Sequence, residues 1–321
     1  MLELPGYVIC EQIHESGKIS VYRGYTSGSR MPVILKVLKK EEADLVGISR
    51  FMYEHEMISN LTMEGVVKLL GMEQSASCFA LIMEDVGGVS LRKYMEDHPV
   101  TDIGQFIEIA IQLTKIVSRL HQKGIIHRDI KPENILIRTE PFQVYLIDFS
   151  SAVFMKNKKN LVSEIPVGSL EYMSPEQTGQ LHVPIDHRSD FYSMGIVFYE
   201  LLTNQLPFQA QNPAEWIYAH LAQRPQPPIA LNPDVPPVIS NIVMKLLSKA
   251  AENRYQSGCG LLQDIQECRS QLLQNGEIAF FPVGQFDISP SLQLPQEMYG
   301  REEEKNILES IFMSLDQGGS Q

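Results

Sequence analysis

A short polar stretch, His127–Leu136, combines the residue types that a phosphoryl-transfer site requires. It supplies a carboxylate from Asp129, an ammonium group from Lys131 and an amide from Asn134. Apolar pairs stand directly before and after these residues, so we expect the polar loop to be held rigidly at the surface of a buried core. Phosphoryl transfer needs a group that orients a hydroxyl, positive charge near the moving phosphoryl and oxygen ligands for Mg²⁺. The stretch therefore indicates phosphoryl-transfer chemistry.

A second carboxylate follows a run of residues typical of a buried strand. The run Val144–Ile147 leads directly into Asp148 and Phe149. This pattern predicts a strand whose end presents the Asp148 carboxylate, and carboxylate oxygens suit Mg²⁺. Asp148 is therefore a candidate metal ligand.

Together these loops resemble the catalytic and metal-binding loops of the eukaryotic-type protein kinases, most of all the bacterial serine/threonine branch. Gly168–Gln177 is similar to the substrate-docking segment of that family, and Asp190–Gly195 resembles the buried helix that braces the catalytic loop. The resemblance covers about residues 7–272, with the motifs in family order and at family spacing. It implies an α+β, bilobal protein-kinase-like fold, with a small β-rich N-lobe carrying one main helix and a larger, mostly α-helical C-lobe.

The resemblance also implies a role for each polar residue of the two loops. Asp129 would act as the catalytic base that orients the accepting hydroxyl, and Lys131 would neutralise the transferred phosphoryl. A lysine at this position implies serine or threonine, rather than tyrosine, as the acceptor. Asn134 and Asp148 would bind Mg²⁺. The implied cofactors are ATP and Mg²⁺, and the implied partner is a protein substrate with serine or threonine hydroxyls.

The resemblance also implies which residues contact the nucleotide. Lys36 stands where the family's strand lysine holds the α- and β-phosphates, and Glu54 matches the helix glutamate that pairs with it. Glu56 is the competitor, but Glu54 fits the family spacing because it lies seven residues before Leu61 (61 − 54 = 7). Further nucleotide-binding residues are expected to be Ile13, Val21, Met83, Glu84 and Val86.

Several other residues are expected to support the site. Arg128 suggests a pocket for a phosphorylated activation segment, in which Ser163 is a candidate phosphorylation site and, with equal weight, a plain exposed serine. Ser169 is expected to hydrogen-bond the catalytic aspartate. Glu176 and Arg254 are expected to form a buried structural ion pair.

The sequence departs from the family pattern at the phosphate-covering hairpin. His14, Ser16 and Ile19 replace its three glycines, and Ser150 follows the aspartate–phenylalanine pair where the family has glycine. Glycine lets a backbone approach phosphates closely, so a branched Ile19 is expected to hinder that approach. A pseudokinase, a regulatory nucleotide-binding scaffold, is therefore the alternative to an active kinase. A small-molecule phosphotransferase is a third possibility, and the docking segment speaks against it.

Short apolar runs separated by turn residues occupy the first part of the chain. The predicted strands lie at 7–9, 21–22, 33–38 and 79–83. Phe51–Ile58 has helical spacing. Residues 1–83 are therefore expected to form the N-lobe.

Helical periodicity dominates from about residue 90. Apolar residues recur every three or four positions from Ile103 to Leu120, which predicts one face of a helix. Further helices are predicted at 190–203, 236–248 and 257–273. The proline-rich segment 205–237 is expected to be mostly ordered loop. Residues 84–273 are therefore expected to form the C-lobe.

The last part of the chain has a different character. Residues 274–298 have no sustained periodicity and predict a linker or an extended segment lying on the globule. Residues 299–321 are expected to begin a further, truncated domain. Tyr299–Glu302 resembles the opening of the signalling ATPase modules that follow kinase domains in large multidomain sensor kinases. Downstream domains of a longer chain are therefore expected partners.

Composition excludes some functions. The net charge of −12 argues against non-specific nucleic-acid binding, which needs a basic face. The four cysteines form no CxxC pair, so neither a zinc ribbon nor a thioredoxin-type site is indicated. No apolar stretch reaches the length of a membrane-spanning helix, and the first residues are unlike a signal peptide. The expected location is cytoplasmic, with neither nucleic acid nor membrane as a partner.

Overall fold

The computed structural model describes residues 4–41, 43–75, 77–98, 102–155, 168–181 and 183–287. These residues form a β-rich N-lobe and a helical C-lobe, which confirms the predicted bilobal α+β fold. Among the helices of these ranges, none is long and apolar enough to cross a membrane.

The N-lobe is built on one antiparallel sheet. Its strands are β1 (Tyr7–Ser16), β2 (Ile19–Thr26), β3 (Pro32–Lys39), β4 (Leu69–Gln74) and β5 (Cys78–Glu84), in the order β1-β2-β3-β5-β4. Helix α1 (Leu45–Ser59) follows β3 and begins at Asp44, whose side chain accepts a hydrogen bond from the backbone N–H of Gly47. The predicted strands and helix are all present, with β4 in addition. Strand β4 was missed because it is largely exposed and interrupted by glycine, and so shows no clear alternation.

The two faces of the sheet have different partners because successive side chains of a strand point in opposite directions. On one face, Val33, Leu35 and Val37 are fully buried in a cluster with residues of β5. On the other face, Leu38 packs against Phe51 of α1. Lys36 shares the parity of Leu38, so its side chain points towards α1 rather than into the opposite cluster.

The C-lobe contains most of the hydrophobic core. Its helices are α2 (Leu91–Asp97), α3 (Ile103–Gln122), α4 (Arg188–Thr203), α5 (Pro213–Ala222), α6 (Pro228–Leu231), α7 (Pro237–Leu246) and α8 (Gly258–Asn275). Helix α4 lies at the centre, with nearly every residue buried. The apolar face predicted for α3 is buried against this core.

Short strands place the polar loops at the edge of the core. They are β6 (Val89–Ser90), β7 (Ile125–Ile126), β8 (Ile135–Thr139), β9 (Phe142–Leu146) and β10 (Val153–Phe154). Strand β8 pairs with β6 and β9, and β7 pairs with β10. The loop 127–134 therefore starts and ends on buried strands, and Asp148 follows the end of β9.

The segment 205–237 is loop over a little more than half of its length, as predicted, but it also contains helices α5 and α6, which the prediction did not include. Pro213 and Pro228 each occupy the first turn of a helix, where a missing N–H costs nothing. Asn212 caps α5 by accepting a hydrogen bond from Glu215. Several prolines thus start helices in this segment instead of breaking them.

The chain after α8 lies on the helical lobe as far as it is described. Ile278, Phe281 and Val283 pack against the core. The carboxylate of Asp287 accepts hydrogen bonds from the backbone N–H groups of Gln256, at 2.6 Å, and Ser257, at 2.9 Å. Of the two forms expected for 274–298, the described part has the second, a segment lying on the globule. The rest of that segment and the predicted further domain, 299–321, lie outside the described residues.

Candidate active site

Three charged side chains meet between the lobes. The Nζ atom of Lys36 lies 2.7 Å from both carboxylate oxygens of Glu54 and 3.0 Å from Oδ1 of Asp148. Strand β3, helix α1 and the end of β9 each supply one member. Glu56, the competing glutamate, is exposed on the other side of α1. The geometry therefore joins Lys36 and Glu54, the pair favoured by spacing.

Burial and charge act against each other in this cluster. Burial alone would lower the pKa of Lys36, but Glu54 and Asp148 more than reverse this and raise it above its ordinary value. Burial would raise the pKa of Asp148, and Lys36 instead holds it well below its usual range. For Glu54, burial outweighs the effect of Lys36 and raises the pKa. Asp148 is therefore the firmly ionised carboxylate of the cluster.

Asp129 is held by three groups at once. Its Oδ1 accepts a hydrogen bond from the backbone N–H of Ser169, at 2.9 Å. Its Oδ2 accepts one from Nδ2 of Asn134, at 3.0 Å, and lies 3.2 Å from Nζ of Lys131. The same ammonium group donates to Oγ of Ser169, at 2.7 Å. The Asp129 side chain is only 10% exposed, so the carboxylate is fixed in one orientation.

Asp190 of helix α4 holds the backbone of the loop before Asp129. The carboxylate of Asp190 accepts hydrogen bonds from the backbone N–H groups of His127 and Arg128, at 2.9 and 2.8 Å, and contacts Nε2 of His121 at 2.8 Å. Arg128 has φ = +69°, a left-handed conformation that non-glycine residues rarely adopt. Two hydrogen bonds to one buried carboxylate hold the backbone in this conformation. The predicted bracing helix thus contacts the loop directly.

Asn134 and Asp148 are brought close by backbone contacts. The N–H of Ile147 donates to the carbonyl of Asn134, at 2.9 Å, so the residue before Asp148 touches the residue at the end of the catalytic loop. Asn134 uses Nδ2 to hold Asp129, by side chain and by backbone carbonyl. A carboxylate and an amide oxygen are ligands that suit Mg²⁺, so the donor set fits that ion. Ser150 contributes its N–H to Asp148 Oδ1, at 3.3 Å.

The docking segment is anchored at both ends. Ser169 contacts Asp129 and Lys131, and Gln177 donates from Nε2 to the carbonyl of Arg128, at 2.9 Å. Between them, Glu176 and the fully buried Arg254 form two contacts of 2.6 and 2.8 Å. The segment is therefore tied to the catalytic loop and to Arg254, which lies between α7 and α8.

The expected nucleotide contacts lie on the strands around Lys36. Val21 is the cross-strand partner of Lys36 between β2 and β3. Met83 and Glu84 end β5, and Val86 lies just beyond them. Ile13 sits at an irregularity of β1 and is 43% exposed. Of these residues, Val21 is therefore the one that pairing places directly beside the lysine.

The hairpin between β1 and β2 keeps one glycine where it is needed. Ser16 pairs with Ile19, so Gly17 and Lys18 form a two-residue turn, and Gly17 has φ = +55°. This positive φ suits the tight hairpin turn. The Ile19 side chain packs against the cluster around Leu38 of the N-lobe. The branched side chain of Ile19 therefore contributes to the packing of the N-lobe core.

Sequence reasoning missed a network around Arg92. Its Nε contacts Glu133 of the catalytic loop at 2.8 Å, its Nη1 contacts Glu200 of α4 at 2.6 Å, and its Nη2 donates to the hydroxyl of Tyr172. Tyr172 also donates to Glu200, at 2.6 Å. Arg92 therefore connects the catalytic loop, the docking segment and α4.

Replacing Arg92 by methionine is expected to lower the free energy of unfolding by about 1–3 kcal/mol. The change leaves the Glu200 carboxylate, which is 8% exposed, without its cation. Denaturant unfolding measures the effect. Lys93→Met is the control, because Lys93 makes only exposed ion pairs and should change stability by less than about 1 kcal/mol. Equal stability of the Arg92 variant and the wild type would contradict the bracing role.

The candidate phosphorylation site Ser163 lies outside the described residues.

Comparison with known proteins shows which family the chain resembles. The family model described as protein kinase domain matches residues 7–267. The serine/threonine-protein kinase PrkC of Bacillus subtilis is 29% identical over 81% of this chain and 40% of its own length. The serine/threonine-protein kinase pkn3 of Myxococcus xanthus is 30% identical over 79% of this chain and 48% of its own length.

A relative of a different architecture also matches. The hybrid signal transduction histidine kinase G of Dictyostelium discoideum is 31% identical over 68% of this chain but only 9% of its own length. The chain thus spans less than half the length of these relatives.

Proposed function

Because the chain belongs to the protein kinase family and resembles bacterial serine/threonine-protein kinases, we propose that it transfers the γ-phosphoryl group of ATP to serine or threonine hydroxyls of proteins. One observation carries the proposal. The Asp129 carboxylate is held at once by Ser169, Asn134 and Lys131, which are a docking-segment residue, a candidate metal ligand and a cation. Such an arrangement orients an accepting hydroxyl and places positive charge at the transferring group.

Each residue then has one task. The carboxylate of Asp129 accepts the proton of the substrate hydroxyl and aims its oxygen at phosphorus in line with the leaving group. Lys131, which also donates to Ser169 Oγ, offers positive charge to the transferred phosphoryl oxygens. Lys36, aligned by Glu54, binds the α- and β-phosphates. Catalysis is therefore mainly positioning and electrostatics.

Mg²⁺ would be held by Asn134 and Asp148, and when bound it neutralises charge on the phosphates. The lowered pKa of Asp148 supports this, because an ionised carboxylate is the form that binds the cation. Asn134 points its amide nitrogen at Asp129, which leaves the amide oxygen as the atom suited to metal.

A regulatory nucleotide-binding scaffold is the second candidate. It is favoured by His14, Ser16 and Ile19 in the hairpin, since none of them allows the close backbone approach that glycine allows. Against it stands the complete set of charged residues and their mutual contacts.

The test is transfer of label from γ-labelled Mg-ATP to the chain itself and to a basic protein such as myelin basic protein, followed by phosphoamino-acid analysis. An active kinase labels serine or threonine. Nucleotide binding without label would favour the scaffold. Label on a small alcohol or aminoglycoside but not on protein would favour a small-molecule phosphotransferase.

We also propose that this catalytic unit works in the cytoplasm within a longer protein. Its relatives are at least twice as long as the part matched here, and the one from Dictyostelium is far longer. The described cysteines, two of them exposed, are free thiols, as expected in a reducing compartment. The further domain expected from residue 299 onward would be its partner in regulation.

A further inference from the structure

A buried histidine touches the docking segment from helix α5. His220 is 1% exposed, and its Nε2 lies 2.8 Å from the backbone carbonyl oxygen of Leu170. Its Nδ1 lies 3.1 Å from the hydroxyl of Tyr192 on α4. The ring is enclosed by Tyr192, Phe208 and Trp216. Each ring nitrogen therefore has its own polar partner, and aromatic rings surround the histidine.

The partners determine which nitrogen carries the proton. Nζ of Lys249 lies 2.9 Å from the carbonyl of Ala219 and 3.4 Å from the Tyr192 hydroxyl, and an ammonium group can only donate. The Leu170 carbonyl can only accept, so the proton of the neutral ring must lie on Nε2, and Nδ1 accepts the hydrogen bond of the Tyr192 hydroxyl. Nε2 therefore donates to Leu170. Burial lowers the pKa of His220 to about 4, so the ring is neutral near pH 7.

The carbonyl that receives this hydrogen bond stands next to the catalytic loop. Leu170 directly follows Ser169, whose N–H holds Asp129 and whose hydroxyl holds Lys131. The N–H of Tyr172 closes the same turn by donating to the Ser169 carbonyl, at 3.0 Å. A shift of the Leu170 carbonyl would therefore move the backbone group that orients the catalytic carboxylate.

Tyr192 also links this contact to the ion pair of Glu176. The guanidinium group of Arg254, which pairs with Glu176, lies over the Tyr192 ring at 4.9 Å. The contacts that the docking segment makes at Leu170 and at Glu176 thus share one aromatic support on α4.

We propose that His220 is a positioning residue for protein-substrate binding, because its Nε2–H fixes the Leu170 carbonyl and thereby the docking segment beside Asp129. The inference rests on the proposed kinase function. A positioning role differs from plain core packing in one respect: it needs the N–H donor as well as the volume of the ring.

Two substitutions separate donor from volume. His220→Leu fills much of the space but cannot donate to Leu170, whereas His220→Gln offers a side-chain amide N–H at a similar distance along the side chain. Tyr192→Phe keeps the aromatic ring and removes the hydroxyl that donates to Nδ1 of His220. His98→Leu is the matched control, because His98 also contacts a backbone carbonyl, that of Tyr94, but lies outside the docking segment.

Steady-state kinetics of the full chain with myelin basic protein and Mg-ATP provide the first readout. His220→Leu should raise the KM for the protein about 3- to 10-fold, the range of one lost hydrogen bond, and leave the KM for ATP within about twofold. His220→Gln should restore the wild-type value, and Tyr192→Phe should fall between the two. An unchanged protein KM in His220→Leu, an equal rise in the KM for ATP, or no rescue by glutamine would overturn the inference.

Hydrogen exchange provides a readout that needs no catalysis. The amides of Ser169 and Tyr172 are both hydrogen-bonded, and their exchange should be about 3- to 10-fold faster in His220→Leu than in His98→Leu. Unchanged exchange at these two amides would contradict the positioning role. If the wild type transfers no phosphate, the proposed function fails, while the exchange result still decides whether His220 positions the segment.

Discussion

Replacing Asp129 by asparagine is expected to lower the rate of phosphate transfer by about 10²- to 10⁴-fold, the usual contribution of a positioned general base. Asparagine has the same shape but cannot accept a proton. The asparagine side chain also has only one oxygen, whereas the Asp129 carboxylate uses two: Oδ1 contacts Ser169, and Oδ2 contacts Asn134 and Lys131. Part of the loss will therefore come from a less well-oriented docking segment. Initial rates at saturating Mg-ATP measure the effect.

ATP affinity separates this loss from general damage. Lys36 and its partners do not contact Asp129 in the hydrogen-bond network, so nucleotide binding should change by no more than about threefold. Asp97→Asn is the control, because Asp97 is an exposed carboxylate that pairs with Lys93 on α2 and should leave the rate unchanged. Transfer by Asp129→Asn within about tenfold of the wild type would show that another group acts as the base.

The second large effect is expected on stability. Arg254→Met should lower the free energy of unfolding by about 3–5 kcal/mol, the usual cost of breaking a buried ion pair. The guanidinium group is fully buried and donates to both oxygens of Glu176 and to the carbonyls of Arg188, Ser248 and Lys249. Removing it leaves a buried carboxylate whose remaining hydrogen bonds, among the described residues, come from the Ser189 hydroxyl and its own backbone N–H. Fluorescence of Trp216, the single tryptophan, during denaturant unfolding measures the loss.

Arg269→Met is the control for this variant. Arg269 is 43% exposed and lies 3.7 Å from Glu108, so its loss should cost less than about 1 kcal/mol. If Arg254→Met lowered the free energy of unfolding as little as Arg269→Met does, the buried ion pair would contribute little to the stability of the fold.

The same pair predicts how the difference depends on pH. Burial would raise the pKa of Glu176, but its bonds to Arg254 and Ser189 lower it below the ordinary value of 4.5. A carboxyl with a lowered pKa stabilises the fold above its unfolded-state pKa, and this stabilisation is lost as the pH falls through the folded-state value. The stability gap between the wild type and Arg254→Met should therefore be widest near pH 7 and narrow below about pH 4.5.

The fold could be predicted from sequence where local patterns are strong. Strand β3 is a short run of apolar residues interrupted only by Lys36, and α3 carries a continuous apolar face, so both elements could be predicted. Strand β4 and helix α5 were missed for local reasons: the first is exposed and contains Gly71, and the second begins at a proline that reads as a breaker.

The candidate site likewise has one part that local spacing predicts and one part that it does not. Asp129, Lys131 and Asn134 lie in one loop, so their spacing alone brings them together. The Arg92 contacts join residues that are 41 to 108 positions apart in the sequence. A local sequence pattern cannot predict contacts between residues so far apart in the chain. His220 was missed for the same reason, since its partner Leu170 lies 50 positions away. Only the packed C-lobe reveals these long-range supports.

The most direct test of the central claim is a single-turnover experiment with the chain in excess over γ-labelled Mg-ATP and with myelin basic protein as acceptor. Single turnover detects chemistry even when product release or the glycine-poor hairpin makes steady-state turnover slow. The site described here predicts label on serine or threonine of the acceptor in the wild type, and none on the same timescale in Asp129→Asn. Bound ATP that stays unhydrolysed, with no label on any hydroxyl, would contradict it and leave a nucleotide-binding scaffold.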